Sequence, residues 1–208
     1  GLMPSEDDVS EHLKSRLEVE QVLGSTGVAV TTLRAGLVVG ANGSSYQLLT
    51  RLVKRLPMMV LPAWTQTKMQ PVSLKAVVQA FTQVIGDFKA YDRVFDLAST
   101  APVSYEELMQ ATAKALHLKR HFVGVPLFSP SLSRLWVSLT TGAPKELVAP
   151  LIESLRHEML ARNDEFHRLS ALEEQDIVDI IKEAAETSKQ PQQEPRAFLK
   201  PTNDKKTD

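Results

Sequence analysis

The feature that most constrains the fold is a helical pattern near the start of the chain, followed at once by a long apolar strand pattern. In residues 8–23, apolar side chains recur at roughly helical spacing, at Val9, Leu13, Leu17, Val19, Val22 and Leu23. Ser5 or Ser10 is placed to cap this helix, and Gly24 and Gly27 to end it. Residues 28–39 are rich in valine and almost continuously apolar, which is typical of a strand covered on both faces in a parallel sheet. The pair predicts an α/β unit with a central strand.

Helix and strand patterns continue to alternate along the next part of the chain. A helix is predicted over residues 46–56, because leucine and valine form one stripe in this segment, and a second helix is predicted over residues 74–85. Strands are predicted over residues 58–61 and 93–98. This alternation is typical of α/β proteins.

The second half of the chain is predicted to be mainly helical. Ser104-Tyr-Glu-Glu107 has the S-x-x-E spacing of a capping box, so a helix is expected from there to about Leu116. Residues 121–125 form a candidate strand. Further helices are predicted over residues 132–139, 145–159 and 172–185. Residues 187–208 have too few apolar groups to offset the entropy of ordering, so a disordered tail is expected.

Composition excludes several classes of function. Lys and Arg number 24 against 25 Asp and Glu, so the overall charge favours neither nucleic acid nor a membrane as partner. The chain has no cysteine, and its histidines lack metal-ligand spacing, so no metal site is expected. No apolar run reaches the roughly 20 residues that span a bilayer, and the acidic N-terminus does not resemble a signal peptide. We therefore expect a cytoplasmic protein.

Two adjacent segments carry a family resemblance. Residues 12–23 read His-Leu-Lys-Ser-Arg-Leu-Glu-Val-Glu-Gln-Val-Leu, and residues 33–40 read Leu-Arg-Ala-Gly-Leu-Val-Val-Gly. This resembles the extended and atypical short-chain dehydrogenase/reductase family, whose helix usually reads Tyr-x-x-Ser-Lys-x-x-x-Glu-x-x-Leu before a strand ending Leu-Arg-x-x-x-x-x-Gly. The two catalytic positions differ, because His12 and Arg16 stand where the family has Tyr and Lys. The likeness spans roughly residues 10–125.

The resemblance implies a fold, a cofactor and a class of chemistry. The fold would be the late half of a Rossmann-type parallel sheet, within residues 1–100, with a smaller, mainly helical substrate-covering lobe in residues 101–186. The cofactor would be NAD or NADP, the partner an unidentified small-molecule substrate, and a homodimer is possible. The glycine-rich turn that receives the pyrophosphate is absent from residues 1–100. We therefore predict that this chain alone binds dinucleotide weakly or not at all.

The same resemblance implies the site residues. His12 and Arg16 occupy the catalytic positions, Arg16 also occupies the position that holds the nicotinamide ribose, and Ala35, Gly36 and Leu37 occupy positions beside the nicotinamide and the substrate. Histidine could exchange a proton with a carbinol because its ordinary pKa of about 6.5 lies near working pH. Arginine is a permanent cation that could bind ribose hydroxyls but would not relay a proton. Equally open are a solvated His12 and a simple helical pair between Arg16 and Glu20.

Other residues near the strand have structural explanations. Arg34 is a charge in an apolar strand and predicts a buried ion pair, since an isolated buried cation is very costly. Leu37 cannot hydrogen-bond a sugar or phosphate, which makes a nucleotide-sugar substrate less favoured. The loop at residues 40–45 is either a turn or a phosphate contact. Three functions stay open: an NAD(P)-dependent oxidoreductase or epimerase-like enzyme, a non-catalytic NAD(P)-binding or scaffold protein that retains the fold, and an independent interaction domain.

Overall fold

The structure is a computed structural model that describes most of residues 10–125 and short segments on either side. The described residues are 2–3, 10–98, 100–125, 157–162, 165–166 and 174–189, and of His12 only the backbone is described. The helix predicted over residues 132–139, most of that over 145–159, and the tail beyond residue 189 lie outside this part. Within the described residues, no helix is long and apolar enough to cross a membrane.

Helices and strands alternate along the described chain, as the sequence predicts. The helices are α1 (Glu11–Gly24), α2 (Ser44–Arg55), α3 (Leu74–Val84), α4 (Tyr105–Ala115) and α5 (Ile177–Thr187). The strands are β1 (Thr32–Ala35), β2 (Val38–Val39), β3 (Met58–Leu61), β4 (Lys68–Met69), β5 (Val72–Ser73), β6 (Val94–Leu97), β7 (Val103–Ser104) and β8 (His121–Gly124). The segment 157–159, where a helix was predicted, instead contains a parallel bridge between Met159 and Met69.

The strand pairs are mainly parallel, which confirms the predicted α/β fold. β1 pairs with β6, β2 with β5 and β3 with β8, all in parallel, whereas β4 and β7 are antiparallel. Parallel neighbours need crossover connections, and helices α2 and α3 lie in such connections.

The valine-rich segment 28–39 forms two short strands instead of the one long strand that was predicted. Its first residues are held by the turn before β6, since the Val30 amide donates to the Asp92 carboxylate and the Thr31 hydroxyl donates to the Ala90 carbonyl. The chain then changes neighbour at Gly36, from β6 to β5. The apolar pattern therefore predicted the position of the β segment correctly, but it did not predict that the segment divides into two strands.

The two faces of β1 meet different helices. Leu33 and Ala35 pack against the hydrophobic cluster that contains residues of α3. Arg34, which alternates with them along the strand, reaches Glu20 of α1 on the other face. β1 is therefore covered from both sides, as expected of a strand in a parallel α/β sheet.

Two hydrophobic cores support these elements. The sheet core joins β5, β6 and α3, with its buried side chains at Val72, Ala76, Ala80, Ala90, Phe95, Leu97 and Phe166. The lobe core is larger and joins α2, β3, α4 and α5; it includes Val53, Met59, Leu61, Trp64, Met69, Leu108, Met109 and Ile181. Residues 44–69 thus share a core with α4 and α5.

Helix α1 contributes little to either core. Ser10 caps it, as one of the two predicted alternatives, by accepting from the Leu13 amide at 3.4 Å. Leu13 is buried, but Val19, Val22 and Leu23 are each more than half exposed. The apolar positions that predicted the helix are therefore largely uncovered within the described structure.

Candidate functional site

The candidate site lies at the carboxyl ends of β1 and β6. The two strands are parallel and in register, with Ala35 opposite Leu97, so they end at the same edge of the sheet. Ligands of open α/β sheets bind outside the carboxyl ends of strands. Ala35, Gly36 and Leu37, predicted as cofactor-binding residues, follow one another at this edge and are each partly exposed.

Gly36 is needed there for packing. A Cβ atom at this position would lie 2.9 Å from the Gln70 carbonyl oxygen and 3.3 Å from the Leu2 side chain. Real Cβ atoms do not approach a backbone oxygen so closely, so any larger residue at position 36 must displace the backbone at Gln70. The close approach that the glycine allows is thus to the protein itself.

A network of polar groups fixes the segments around these strand ends. The Gln70 side chain donates to the Thr100 carbonyl at 3.2 Å and accepts from the Ala161 amide at 2.8 Å. The buried Asp96 carboxylate on β6 accepts from the Arg162 amide at 3.0 Å. Sequence reasoning missed Gln70 and Asp96. A charged residue inside the apolar pattern of β6 was the available signal for Asp96.

The two predicted catalytic positions lie on α1 and stand one helical turn apart. Because residues four apart share a helix face, the backbone places His12 and Arg16 side by side. The Arg16 side chain is exposed, and no ion pair joins it to any described residue. The proposed pairing of Arg16 with Glu20 does not occur, because Glu20 binds a different arginine.

That arginine is Arg34, and its predicted ion pair is confirmed. Its guanidinium donates twice to the Glu20 carboxylate, at 3.1 and 2.8 Å, and both side chains are less than one-fifth exposed. A two-point arginine–carboxylate pair of this kind satisfies the charge and fixes geometry. It joins α1 to β1 and so sets the position of His12 and Arg16 relative to the strand.

The glycine loop at residues 40–45 forms a turn at the start of α2. The Gly43 amide donates to the Gly40 carbonyl at 3.0 Å, so this amide is already used within the loop. A Cβ atom on Gly40 would meet the Leu74 side chain at 2.9 Å. The loop therefore has a packing role, and its contact with a phosphate stays a prediction.

A mostly apolar groove of about 410 Å³ lies beside this loop, between α3 and α5. Its wall includes Val39, Leu74, Val78, Ile180 and Ala184. Lys75 and Glu183 add one charge of each sign. Such a lining does not select for an anionic cofactor.

One buried hydroxyl belongs to the lobe core. Tyr105, the first residue of α4, contacts Trp64 edge to face at 5.8 Å between ring centroids. Burial raises the pKa of Tyr105 far above its usual value, so the phenol remains protonated at neutral pH. Among the described residues, no cluster of three or more acidic or histidine side chains is placed to hold a metal.

Comparison with solved structures finds a similar fold in an epimerase, a reductase and a quinone oxidoreductase. The chain is similar to a nucleoside-diphosphate-sugar epimerase from Staphylococcus aureus, with 13% identity, a TM-score of 0.63, and coverage of 85% of this chain and 61% of that one. It is similar to the triphenylmethane reductase of Citrobacter sp. in complex with NADP(H), with 15% identity, a TM-score of 0.63, and coverage of 87% and 62%. It is also similar to an NADPH-dependent quinone oxidoreductase from Escherichia coli, with 15% identity, a TM-score of 0.61, and coverage of 84% and 60%.

These likenesses show the fold, which is Rossmann-like and shared with these solved structures. No family model matches the sequence. No curated protein matches it either. The chain spans about three-fifths of the length of the three solved structures described above.

Proposed function

We propose that this chain is the carboxyl-terminal part of an NAD(P)-binding oxidoreductase or epimerase-like protein. In this proposal the nicotinamide lies at the carboxyl ends of β1 and β6, beside Ala35, Gly36 and Leu37. The strands that carry the pyrophosphate turn would come from residues outside this sequence. The chain would supply the wall of the nicotinamide site and the substrate lobe.

The second edge of β1 is the observation that carries the proposal. One edge pairs with β6 along the whole strand. On the other edge, the Leu2 amide donates to the Ala35 carbonyl at 3.1 Å, and the Leu2 side chain is fully buried. Leu2 therefore pairs with the carboxyl end of β1, on the edge away from β6, as the end of a third strand would. Among the described residues, Leu2 alone pairs with this edge of β1, and an unpaired strand edge is a template for further pairing.

Within this proposal, His12 and Arg16 have distinct roles. The backbone of α1 places them one turn apart, and the Arg34–Glu20 pair ties that helix to β1. His12 would exchange the proton that accompanies hydride transfer. Arg16 would bind the nicotinamide ribose as a permanent hydrogen-bond donor. Leu37 would present an apolar contact to the substrate, which favours one that is not a nucleotide sugar.

The alternative is a non-catalytic protein that keeps the fold and binds NAD(P) or acts as a scaffold. The sequence favours it at one point, because both positions of the family's reacting pair hold other residues. Arginine cannot lower its own charge at working pH, so it cannot pass protons as lysine can in a relay. The two proposals share a binding site and differ in turnover.

Calorimetric titration with NADH and NADPH tests the binding proposal. The 208-residue chain should bind neither dinucleotide tightly, whereas the same chain extended upstream by the missing sheet half should bind one with 1:1 stoichiometry. Tight binding by the 208 residues alone would contradict the assignment of the pyrophosphate site to other residues. No binding by the extended chain would contradict the proposed function.

Turnover separates the enzyme from the scaffold. We expect the extended chain to oxidise the bound nicotinamide with a quinone or ketone acceptor, and His12→Ala to reduce kcat by about 100-fold or more, as loss of a general acid does. Lys14→Ala on the same helix is the matched control and should leave kcat unchanged, since Lys14 forms an exposed pair with Glu11. Binding without turnover on any acceptor would favour the scaffold.

A further inference from the structure

The near-zero net charge of the chain conceals a local concentration of positive charge. Residues 44–62 contain Arg51, Lys54 and Arg55 and no acidic residue. Residues 108–125 contain Lys114, Lys119 and Arg120, with two histidines, and again no acidic residue. Six cations therefore come from two segments that have no compensating carboxylate of their own.

The fold brings these two segments together. The Arg120 guanidinium donates to the Val53 carbonyl at 2.6 Å and to the Lys54 carbonyl at 3.0 Å, at the end of α2. The His121 amide donates to the Pro57 carbonyl, and β8 then pairs with β3. The carboxyl-terminal end of α2 therefore meets the segment that follows α4. We call the cations of these two segments the basic patch: Arg51, Lys54, Arg55, Lys114, Lys119 and Arg120.

An exposed apolar surface adjoins the basic patch. β3 alternates strictly, so Met59 and Leu61 are buried in the lobe core while Met58 and Val60 are 60% and 42% exposed. Val123 of β8, opposite Val60 in the register, is 45% exposed. We call Met58, Val60 and Val123 the apolar strip. It begins at Met58, three residues after Arg55.

Folding explains only part of this arrangement. Lys54, Arg55 and Lys114 lie in the last turns of their helices, where cations interact favourably with the helix dipole, and Arg120 caps α2. Arg51 and Lys119 have no such position. Arg51 also stands four residues before Arg55, and like charges at that spacing destabilise a helix slightly. Lys54 and Lys119 are exposed and form no ion pair with a described residue.

We propose that the basic patch and the apolar strip bind the surface of an anionic lipid bilayer. Each part fits one layer of such a surface, because lysine and arginine attract acidic headgroups and exposed aliphatic side chains enter the boundary of the acyl chains. A nucleic acid would use the cations but gain nothing from methionine and valine, since bases stack on aromatic rings. The expectation of no membrane partner came from net charge, which averages out a local patch. Contact with the bilayer would be peripheral.

Vesicle sedimentation tests this proposal with the 208-residue chain. We expect binding to phosphatidylcholine vesicles that contain about one-third phosphatidylserine, and weak binding to phosphatidylcholine alone. Lys54→Gln combined with Lys119→Gln should reduce the partition coefficient about 30-fold, at about 1 kcal/mol for each cation near the surface. At high salt, charge attraction is screened and the apolar contacts carry more of the binding. There, Met58→Ser combined with Val60→Ser should lower the partition coefficient relative to that of the unchanged chain.

Matched variants elsewhere on the chain serve as controls. Lys75→Gln with Lys89→Gln makes the same change of net charge, and Ile85→Ser with Phe88→Ser removes apolar groups that are even more exposed. Both control pairs should bind vesicles like the unchanged chain, with circular dichroism confirming that every variant is folded. Equal losses in patch and control variants would overturn the proposal. So would binding of an oligonucleotide that competes fully with vesicles and does not depend on Met58 or Val60.

Discussion

The lobe core and the sheet core differ in how completely the described elements of this chain cover their apolar side chains. The lobe core has helices on several sides, and its largest side chains, including Met59, Leu61 and Leu108, are almost fully buried. The sheet core is smaller, and next to it α1 exposes Val19, Val22 and Leu23. The difference indicates that the lobe can fold on the contacts it has, whereas the sheet portion has surfaces fit for further strands and helices.

The largest expected effect contrasts a buried and an exposed leucine. Leu108→Ala removes a side chain that is 1% exposed in the lobe core and should lower the free energy of unfolding by about 3 kcal/mol. Leu74→Ala, at a leucine that is 50% exposed on α3, should change it by about 1 kcal/mol or less. Urea denaturation measures both. Similar losses at the two positions would show that the exposed surface of α3 is buried in solution.

The next effect concerns the strand ends. Gly36→Ala should lower the free energy of unfolding by about 2 kcal/mol, because the new Cβ would press on the Gln70 carbonyl. Gly24→Ala is the matched control, since nothing lies within 4 Å of its Cβ at the end of α1. It should be neutral or stabilise by about 0.5 kcal/mol. If Gly36→Ala leaves the free energy of unfolding unchanged in the same urea experiment, the backbone at Gln70 does not pack tightly against position 36.

A third substitution tests the link between α1 and the sheet. Glu20→Gln should lower the free energy of unfolding by about 2 kcal/mol, because it leaves the mostly buried Arg34 cation without its carboxylate. Glu11→Gln breaks an ion pair that is exposed on both sides and should cost less than about 0.5 kcal/mol. Thermal unfolding of both variants measures the contrast. Equal costs would show that α1 is not docked on β1 through this pair.

The smallest effect is a pH dependence within the lobe. A hydrogen bond from Lys68 and another from the Ser104 amide lower the pKa of Glu107 to about 2, below its usual 4.5. Because the folded-state pKa is depressed, this stabilisation is complete above about pH 4.5 and is lost as the pH falls towards 2. The side chain is half exposed, so solvent screening limits the contribution to about 1 kcal/mol.

Glu107→Gln should flatten this part of the stability curve, measured by urea denaturation at several pH values. Glu106→Gln, one residue earlier and outside the capping box, is the control and should keep the acid transition of the unchanged chain. A curve for Glu107→Gln that still falls in the same pH range would assign the transition to other carboxylates.

Local patterns predicted most of the elements in the described part of the chain. The S-x-x-E spacing at Ser104 gave α4 its capping box, and a lone charge in the apolar segment at Arg34 gave its ion pair. Such features depend on neighbours in sequence or on the high cost of an unpaired buried charge. The division of the segment 28–39 accompanies the change of neighbour at Gly36, from β6 to β5. Both neighbours lie more than 30 residues away along the chain, and no local pattern reports such contacts.

The candidate site was predictable only in outline. Residues 35–37 could be placed by the order of strand and glycine, but Gln70 and Thr100, which hold the neighbouring segments, come from loops with no distinctive pattern. The basic patch was hidden for another reason, since a net charge sums over the whole surface while binding depends on local density. Both were missed because they are properties of three-dimensional proximity.

Hydrogen exchange of the 208-residue chain, followed residue by residue, tests the contrast between the two regions most directly. We predict that amides of α4 exchange only through global unfolding, whereas amides of α1 and the Leu33 amide on the second edge of β1 exchange through local opening at a much lower free energy. Equal protection of α1 and α4 would contradict the account, because it would show that the sheet portion is already complete without further strands.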